Sequence, residues 1–332
     1  MFKSKKKQQA ELLAGYHEVK SGSFYFDSIR RYFLGSDKTT NRQIVSDKTY
    51  HDLDLDEVFM FIDRTVSKVG QQYYYQLFRT IPPNRKQQER LEQLIQLFAT
   101  DQSLKASVVW QLSQLNSHGV YLIAALIHEN HVQKPRWFWI VPVLSLFSIA
   151  VTVLSFFFPQ LLILLIFVLI LNYLLHYWNK TNLYQYAESV PQLLRLNQVA
   201  KELLTFRALA DKYSDIHHST KSMDRIGFRM SLFRLEATLL SEIGQVVEFI
   251  AEIAKALFLV EPLLLFSVLR KLDTRREQID QLYRFVGELD VAISIASLRD
   301  TLPYYASPTI TENRKYLIGY GCLPPAANQL YR

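Results

Sequence analysis

The longest apolar stretch of the chain is a run of 42 residues, from Trp137 to Trp178, that contains no Asp, Glu, Lys or Arg. A Pro-Gln pair interrupts it near its middle. About 20 apolar residues cross the roughly 30 Å hydrocarbon core of a bilayer as a helix. The run therefore predicts a transmembrane hairpin with spans over about residues 137–158 and 161–178. A buried helical hairpin in the core of a soluble domain is the alternative, but charge-free runs of this length are rare in such cores.

The ends of this run predict which way the hairpin faces. Aromatic side chains stand at both outer ends, as they do at membrane–water interfaces. The interface residues are Trp137, Trp139, Tyr177 and Trp178. Lys134, Arg136 and Lys180 flank the ends, whereas the central turn carries no charge. Positively charged flanks stay in the cytoplasm, so we expect a two-span protein of the inner, or cytoplasmic, membrane with both termini on the cytoplasmic side.

Apolar residues recur at helical spacing through the rest of the chain. Helices are predicted over about residues 24–34, from a cap at Asp54 or Asp56, and over 67–81, 85–100, 103–128, 184–212, 243–269 and 274–302. The last helix is predicted to bury Ile279, Leu282, Phe285, Val286, Leu289 and Ile293. Ten glycines and few alternating segments also favour helix. The expected fold is all-α, a bundle of long helices that the transmembrane hairpin interrupts.

One further segment, residues 243–269, is apolar enough to suggest a third span. Its charged residues are Glu248, Glu252, Lys255 and Glu261. A charge at the centre of a span costs about 2.5–3.5 kcal/mol on insertion scales, so these residues argue against insertion. We therefore expect a long soluble helix that is kinked or broken near Pro262.

Net charge bears on the partners of the chain. The formal net charge is +7, part of which comes from the lysines between residues 3 and 7. A basic arm near a bilayer favours anionic lipid headgroups, with nucleic acid as the second candidate. No apolar segment follows the arm, so we expect no cleaved signal peptide. The single cysteine, Cys322, excludes an internal disulfide and fits a reducing compartment.

No motif in the sequence supplies an active site. Neither a phosphate-binding GxxxxGK[ST] loop nor a dinucleotide-binding GxGxxG is present. Asp52, Asp54 and Asp56 alternate in a way that metal ligands sometimes do, but carboxylates near the positive end of a helix dipole explain them better. We therefore predict no catalytic, cofactor-binding or metal site in this chain.

Two segments resemble a known family. Residues 53–84 resemble the opening of the helical core, or lever, domain of the MutS family of DNA mismatch-repair proteins, where an acidic and apolar helix leads into an Asp-x-Thr-x-(Ser/Thr)-x-x-Gly turn. The matching positions are Asp63, Thr65, Ser67 and Gly70. Residues 285–310 are similar to the exit of the lever toward the family's ATPase domain. The matching positions there are Leu289, Asp290, Ser294, Ala296, Tyr305 and Pro308.

The resemblance implies a domain organisation. The expected parts are a basic arm and short helix (1–50), core helices (51–134), the transmembrane hairpin (135–180), long lever-type helices (181–302) and a linker toward an ATPase domain (303–332). The hairpin resembles the insertion of the membrane-anchored MutS-related branch. Because the sequence contains no P-loop, ATP and Mg²⁺ are expected only on an ATPase domain outside it. The chain is then either a truncated gene product or a piece whose ATPase lies on another chain.

The resemblance also implies a function and partners. It implies a membrane-anchored, MutS-related fragment, related to ATP-dependent binding of mismatched or branched DNA but without its own ATPase site. The implied partners are the lipid bilayer, DNA and a homo- or heterodimer partner that carries the ATPase. DNA contact is expected through Lys5, Lys6, Lys7, Arg225, Arg229 and Arg234, unless the arginines only form solvated helix faces. The alternative function is a non-enzymatic scaffold that docks a partner protein at the membrane surface.

Overall fold

The chain is mostly helical, as predicted. A computed structural model describes residues 20, 22–39, 41–82, 85–129, 136–224, 253 and 257–306. The chain divides into two units, residues 1–301 and residues 302–332. The helices of the first unit are α1 (Phe26–Gly35), α2 (Asp47–Asp52), α3 (Leu55–Ile62), α4 (Lys68–Arg79), α5 (Arg85–Thr100), α6 (Gln102–Ser113), α7 (Ile123–His128), α8 (Ile140–Ser155), α9 (Leu161–Leu204), α10 (Arg207–Ala210), α11 (Val260–Asp273) and α12 (Arg276–Thr301). Residues 216–224 are also helical, and 3₁₀ turns cover His118–Leu122 and Arg136–Trp139.

Helix α12 is the central element of the first unit. It packs against α4 and α5 and also contacts α6, α7 and α9. The six apolar residues predicted to be buried on this helix are buried: Ile279, Leu282, Phe285, Val286, Leu289 and Ile293. Burying one such side chain contributes about 1.5–3 kcal/mol, so this face holds the surrounding helices together.

The start and end of α4 follow the sequence prediction. The helix begins after Ser67, whose hydroxyl accepts a hydrogen bond from the backbone N–H of Gly70 at 2.8 Å. This is an N-cap, which supplies a partner for one of the free N–H groups of the first turn. The helix ends at Arg79, ahead of Pro82 and its disfavoured helical geometry.

The buried surface of α4 includes polar side chains. Tyr74 is buried, whereas Leu77 and Phe78 are only partly buried. The polar residues Gln71 and Gln72 are also buried. Their side-chain amides find partners within the body: the Gln72 amide donates to a backbone carbonyl of α1 at 2.5 Å, and Gln71 joins the cluster described below.

A short β-ribbon was not predicted. Strand β1 (Gln43–Ile44) pairs antiparallel with β2 (Thr80–Ile81). The adjacent Arg79 is buried, and its guanidinium donates to the carbonyl of Val45 at 2.9 Å and to Asp47 at 2.6 Å. The same guanidinium lies 4.3 Å from the ring centre of Tyr50. Two-residue strands carry too few alternating positions to be seen in a sequence, which explains the omission.

Two predicted helix boundaries are wrong. The single helix expected over residues 103–128 is interrupted after Ser113, because the carbonyl of Leu115 accepts from the backbone N–H of Lys68 at 2.9 Å instead of continuing a helix. The expected carboxylate cap of α3 is also absent from the structure. Asp54 precedes α3 in a left-handed conformation (φ 47°), and its side chain makes no capping hydrogen bond.

Where the sequence predicts two membrane spans, α8 and α9 follow one another and pack together as a helical hairpin. Helix α9 is continuous for 44 residues, so the predicted separation between a span ending near residue 178 and a helix at 184–212 is wrong. At about 1.5 Å a residue, α9 is about 66 Å long. Its apolar half belongs to the hairpin, and its polar half packs on the helical body beside the His118–Leu122 turn.

The hairpin exposes its apolar side chains. Within the described residues, one helical segment, Arg136–Ser155, is long and apolar enough to cross a membrane, and 22% of its most apolar window is buried. Leu161–Leu175 is a shorter apolar helix. Leu146 on α8 is 69% exposed and Phe167 on α9 is 66% exposed. Such exposure is contrary to the alternative of a buried core hairpin.

Candidate functional site

The two sequence segments that carry the family resemblance meet in the structure. The loop of residues 63–67, between α3 and α4, lies against the middle of α12. The carboxylate of Asp290 accepts three hydrogen bonds from this loop: from the Val66 N–H at 2.9 Å, the Ser67 N–H at 2.7 Å and the Ser67 hydroxyl at 2.6 Å. Asp290 and Ser67 are both buried. A contact between residues more than 200 positions apart therefore joins the two motifs.

Two further motif residues, Ser294 and Gly70, lie at this contact. The hydroxyl of Ser294, one turn after Asp290, accepts from the backbone N–H of Arg64 at 2.9 Å. Gly70 lies so close to α12 that a Cβ at this position would overlap the Asp290 carboxylate. Ser67 links both sides, since its hydroxyl donates to Asp290 and accepts from the N–H of Gly70. We call Asp63, Thr65, Ser67, Gly70, Asp290 and Ser294 the motif junction.

Asp63 organises the other half of the motif junction. One carboxylate oxygen accepts from the backbone N–H of Thr65 at 2.9 Å and from its hydroxyl at 2.6 Å. The second oxygen accepts from the Gln71 amide at 2.7 Å and from the Lys20 ammonium at 2.7 Å. Asp63 is buried and its hydrogen bonds hold the loop in one conformation.

The motif junction is suited to positioning rather than to chemistry. Its two carboxylates are buried and occupied by backbone, hydroxyl, amide and ammonium donors. A nucleophile or general acid needs access to substrate, which these side chains lack. Their arrangement fixes the start of α4 against the middle of α12.

Burial changes the acidity of Asp290. It raises the pKa of this carboxyl to about 6, against the opposing effect of the three hydrogen bonds from Ser67 and Val66. In an unfolded chain an aspartate has a pKa of about 3.9. Between these values the folded protein holds a proton that the unfolded chain has released. The contribution of Asp290 to stability is therefore greatest below about pH 4 and is lost as the pH rises through about 6, by about 3 kcal/mol in total.

This linkage predicts a pH-dependent difference between the wild type and Asp290→Asn. The variant cannot titrate at this position, so its stability should lack the loss that the wild type shows between about pH 4 and pH 6. Free energies of unfolding of both proteins, measured in detergent from pH 4.5 to 7.5, give the comparison, because all other groups titrate in both. Parallel curves for the two proteins would contradict a raised pKa at Asp290.

The remaining predicted residues are distributed as follows. Leu289 and Ala296 are buried in α12, beside the motif junction. Tyr305 is described in the second unit, and Pro308 lies outside the described residues. The predicted DNA-contacting residues, Lys5, Lys6, Lys7, Arg225, Arg229 and Arg234, also lie outside the described residues. Of the predicted interface aromatics, Trp137, Trp139 and Tyr177 are exposed.

Sequence reasoning missed an ion pair between two helices and the hydrogen bond that connects it to the loop after α10. Arg90 of α5 donates to Glu288 of α12 at 2.9 Å, and the Tyr213 hydroxyl donates to the same carboxylate at 2.8 Å. The adjacent cleft has a volume of about 360 Å³. It is lined by Tyr73, Lys86, Gln87, Arg90 and Arg284. In the sequence, Lys86 and Arg90 are spaced to lie on one face of a helix, but this spacing does not identify Glu288 as the partner of Arg90.

The described residues contain no group of three His, Cys, Asp or Glu side chains that could hold a metal ion. Among the three alternating aspartates, Asp56 instead accepts from Arg30 at 3.0 Å and from Tyr50 at 2.7 Å.

No family model, curated protein or solved structure matches the chain. The function must therefore be argued from the residues and their geometry.

Proposed function

We propose that the chain is the helical core and lever portion of a membrane-anchored, MutS-related protein. The observation that carries this proposal is the motif junction. The resemblance concerns two segments more than 200 residues apart, and Asp290 accepts hydrogen bonds from the other segment at 2.6 to 2.9 Å. Residues that match a family pattern for unrelated reasons have no cause to be brought into contact. The motif junction thus supports a helical core shared with the MutS family.

The same geometry supports a mechanical role. Helix α12 has 26 residues, which corresponds to about 39 Å. The motif junction attaches its middle to α4, and the Arg90–Glu288 pair attaches it to α5. A displacement at one end of α12 is transmitted to the core, because packed helices and buried polar contacts do not deform continuously. In this proposal the displacement originates in an ATPase domain.

The proposal places the α8–α9 hairpin across the bilayer twice, with both of its outer ends in the cytoplasm. The exposed apolar surface of both helices supports this placement, as does the exposure of the aromatic residues at the outer ends. The polar half of α9 continues into the helical body, so the body lies at the cytoplasmic face. The predicted location is thus the cytoplasmic membrane.

DNA binding is the part of the proposed function that a direct experiment tests. Full-length protein in mild detergent is titrated with duplex DNA carrying a mismatch, with a branched duplex and with a perfect duplex, at several salt concentrations. We expect the logarithm of the binding constant to fall linearly with the logarithm of the salt concentration, with a slope near −0.9 for each phosphate contacted. Replacing Arg225, Arg229 and Arg234 with glutamine should reduce the slope, whereas replacing the exposed Arg207 on α10 with glutamine provides the matched control.

The outcomes of this experiment separate the two candidate functions. Binding that is equally weak at low and high salt would overturn the DNA-binding function. If crosslinking in membranes then captured a partner protein without nucleic acid, the non-enzymatic scaffold would replace it. Capture of a P-loop ATPase in the same experiment would support the proposed coupling of the lever to an ATPase.

A further inference from the structure

A polar seam lies between the two apolar helices of the hairpin. Ser148 on α8 and Asn172 on α9 are fully buried, and the Asn172 amide donates to the Ser148 hydroxyl at 2.7 Å. The same amide donates to the carbonyl of Leu257 at 2.6 Å, and Ser145 donates to the carbonyl of Phe258 at 2.7 Å. The polar seam (Ser145, Ser148 and Asn172) therefore binds the backbone of the segment that precedes α11.

The segment bound by the seam is a break in the helical backbone. Leu259 has a left-handed conformation (φ 51°), and α11 begins only at Val260. A broken helix leaves carbonyls without partners in the helix itself. In water such carbonyls are hydrated, but in hydrocarbon they need partners from neighbouring side chains. Asn172 and Ser145 supply partners of this kind to Leu257 and Phe258.

The position of the seam along the hairpin sets the depth of this break. Ser148 lies about 13 Å beyond Trp139 at a helical rise of about 1.5 Å a residue. This is close to the middle of a hydrocarbon core roughly 30 Å thick. From Leu259, the same rise places Arg270 about 16 Å away along α11. Arg270 and Lys271, in the last turn of α11, would then lie at the headgroups.

We propose that α11, together with the break at Leu257–Leu259 and Ile253 before it, is a third membrane-inserted element, which enters the bilayer to about mid-depth and is held there by the polar seam. This inference rests on the proposed spanning of the hairpin. Ile253 fits a lipid-facing position, because this apolar side chain is 37% exposed. Helix α11 contacts both α8 and α9, as an inserted element must.

The proposal replaces the expectation of a soluble helix for this part of the chain. Glu261 disfavours an independent span, since a charge near the bilayer centre is costly. The side chains of the hairpin, rather than the hydropathy of the segment itself, therefore hold it in place. Because α12 follows α11 after a short turn, the lever helix is connected directly to a membrane-inserted element.

Depth-dependent accessibility tests this element. Cys322 is replaced by serine, and a nitroxide label is placed at Ile253, Leu146 or Thr274 of the full chain in vesicles of phosphatidylcholine and phosphatidylglycerol. Oxygen concentrates in the bilayer and a nickel chelate in water. We expect Leu146 and Ile253 to be relaxed mainly by oxygen, and the exposed Thr274 mainly by the nickel chelate.

The controls distinguish failure of this inference from failure of the proposed hairpin. We call relaxation mainly by oxygen a lipid signal and relaxation mainly by the nickel chelate an aqueous signal. A lipid signal at Leu146 with an aqueous signal at Ile253 would overturn the third element and leave the hairpin intact. An aqueous signal at Leu146 would overturn both. Asn172→Leu should remove the lipid signal at Ile253, whereas Thr152→Val, whose hydroxyl donates to the Ser148 carbonyl within α8, should preserve it. A lipid signal that survives Asn172→Leu would contradict docking through the seam.

Discussion

Replacing Gly70 with alanine should lower the free energy of unfolding by about 3 kcal/mol. The new Cβ would overlap the Asp290 carboxylate and lie 2.6 Å from the Cβ of that residue. Relief requires α4 and α12 to separate, which breaks the hydrogen bonds from Ser67 and Val66 to a buried carboxylate. Intrinsic helix propensity acts in the opposite direction, because alanine in a helix is favoured over glycine by about 1 kcal/mol. A net loss of stability would therefore come from the close approach of α4 to α12 and not from helix propensity.

Chemical denaturation in detergent, followed by circular dichroism, measures this effect. Gly22→Ala is the matched control, since a Cβ at Gly22 meets nothing within 4 Å. The control should leave the unfolding midpoint unchanged. If the Gly70→Ala protein were as stable as the control, the contact between the two motif segments would not exist as described.

The second large effect concerns the membrane. Leu146→Arg combined with Phe167→Arg places one charge near the middle of each predicted span, at side chains that are largely exposed. Each charge costs about 2.5–3.5 kcal/mol on insertion scales, so the pair should remove the protein from the membrane fraction after an alkaline carbonate wash. Leu34→Arg, on the exposed surface of α1, adds the same charge to the helical body and should leave the protein in the membrane.

Fractionation of these variants by centrifugation and immunoblotting gives the result. Retention of the doubly charged protein in washed membranes would show that hydrocarbon does not surround the hairpin. Release of the Leu34→Arg control would show instead that charge anywhere on the surface disrupts the association. Only loss of the double variant, with retention of the control, agrees with two inserted helices.

Helical periodicity was sufficient to predict several elements. Helix α5 covers the predicted residues 85–100, because Leu94, Ile95 and Phe98 form one buried stripe. Helix α12 buries all six residues expected of it. In both helices one clear apolar face packs on the body, so the local pattern and the tertiary contacts agree.

Elsewhere tertiary contacts overrode the local pattern. The break after Ser113 depends on a hydrogen bond from Lys68, which lies more than 40 residues earlier in the chain. The burial of Arg79 depends on a ribbon too short to detect. Helix α9 continues past the expected end of the span and through Pro191 to Leu204, and this part of the helix packs on the helical body. Such features are set by partners that a periodic pattern does not identify.

The motif junction was accessible to sequence only through resemblance. Asp290 and Ser294 are polar residues on a helix whose apolar positions dominate the pattern, and periodicity would assign them no role. Their partners, Ser67 and Arg64, lie more than 220 positions away. The polar seam was hidden for a similar reason, since Asn172 and Ser148 are single polar residues within long apolar runs. Contact between distant residues gives each of them a structural role.

The most direct test of a membrane-anchored helical body is the topology of the hairpin in intact cells. In a Cys322→Ser background, single cysteines replace the exposed Gln160 in the central turn and the exposed Thr274 between α11 and α12. A membrane-impermeant maleimide should label the cysteine at position 160 in intact cells and the cysteine at position 274 only after lysis. Labelling of both only after lysis, or of both in intact cells, would contradict two spans with a cytoplasmic body.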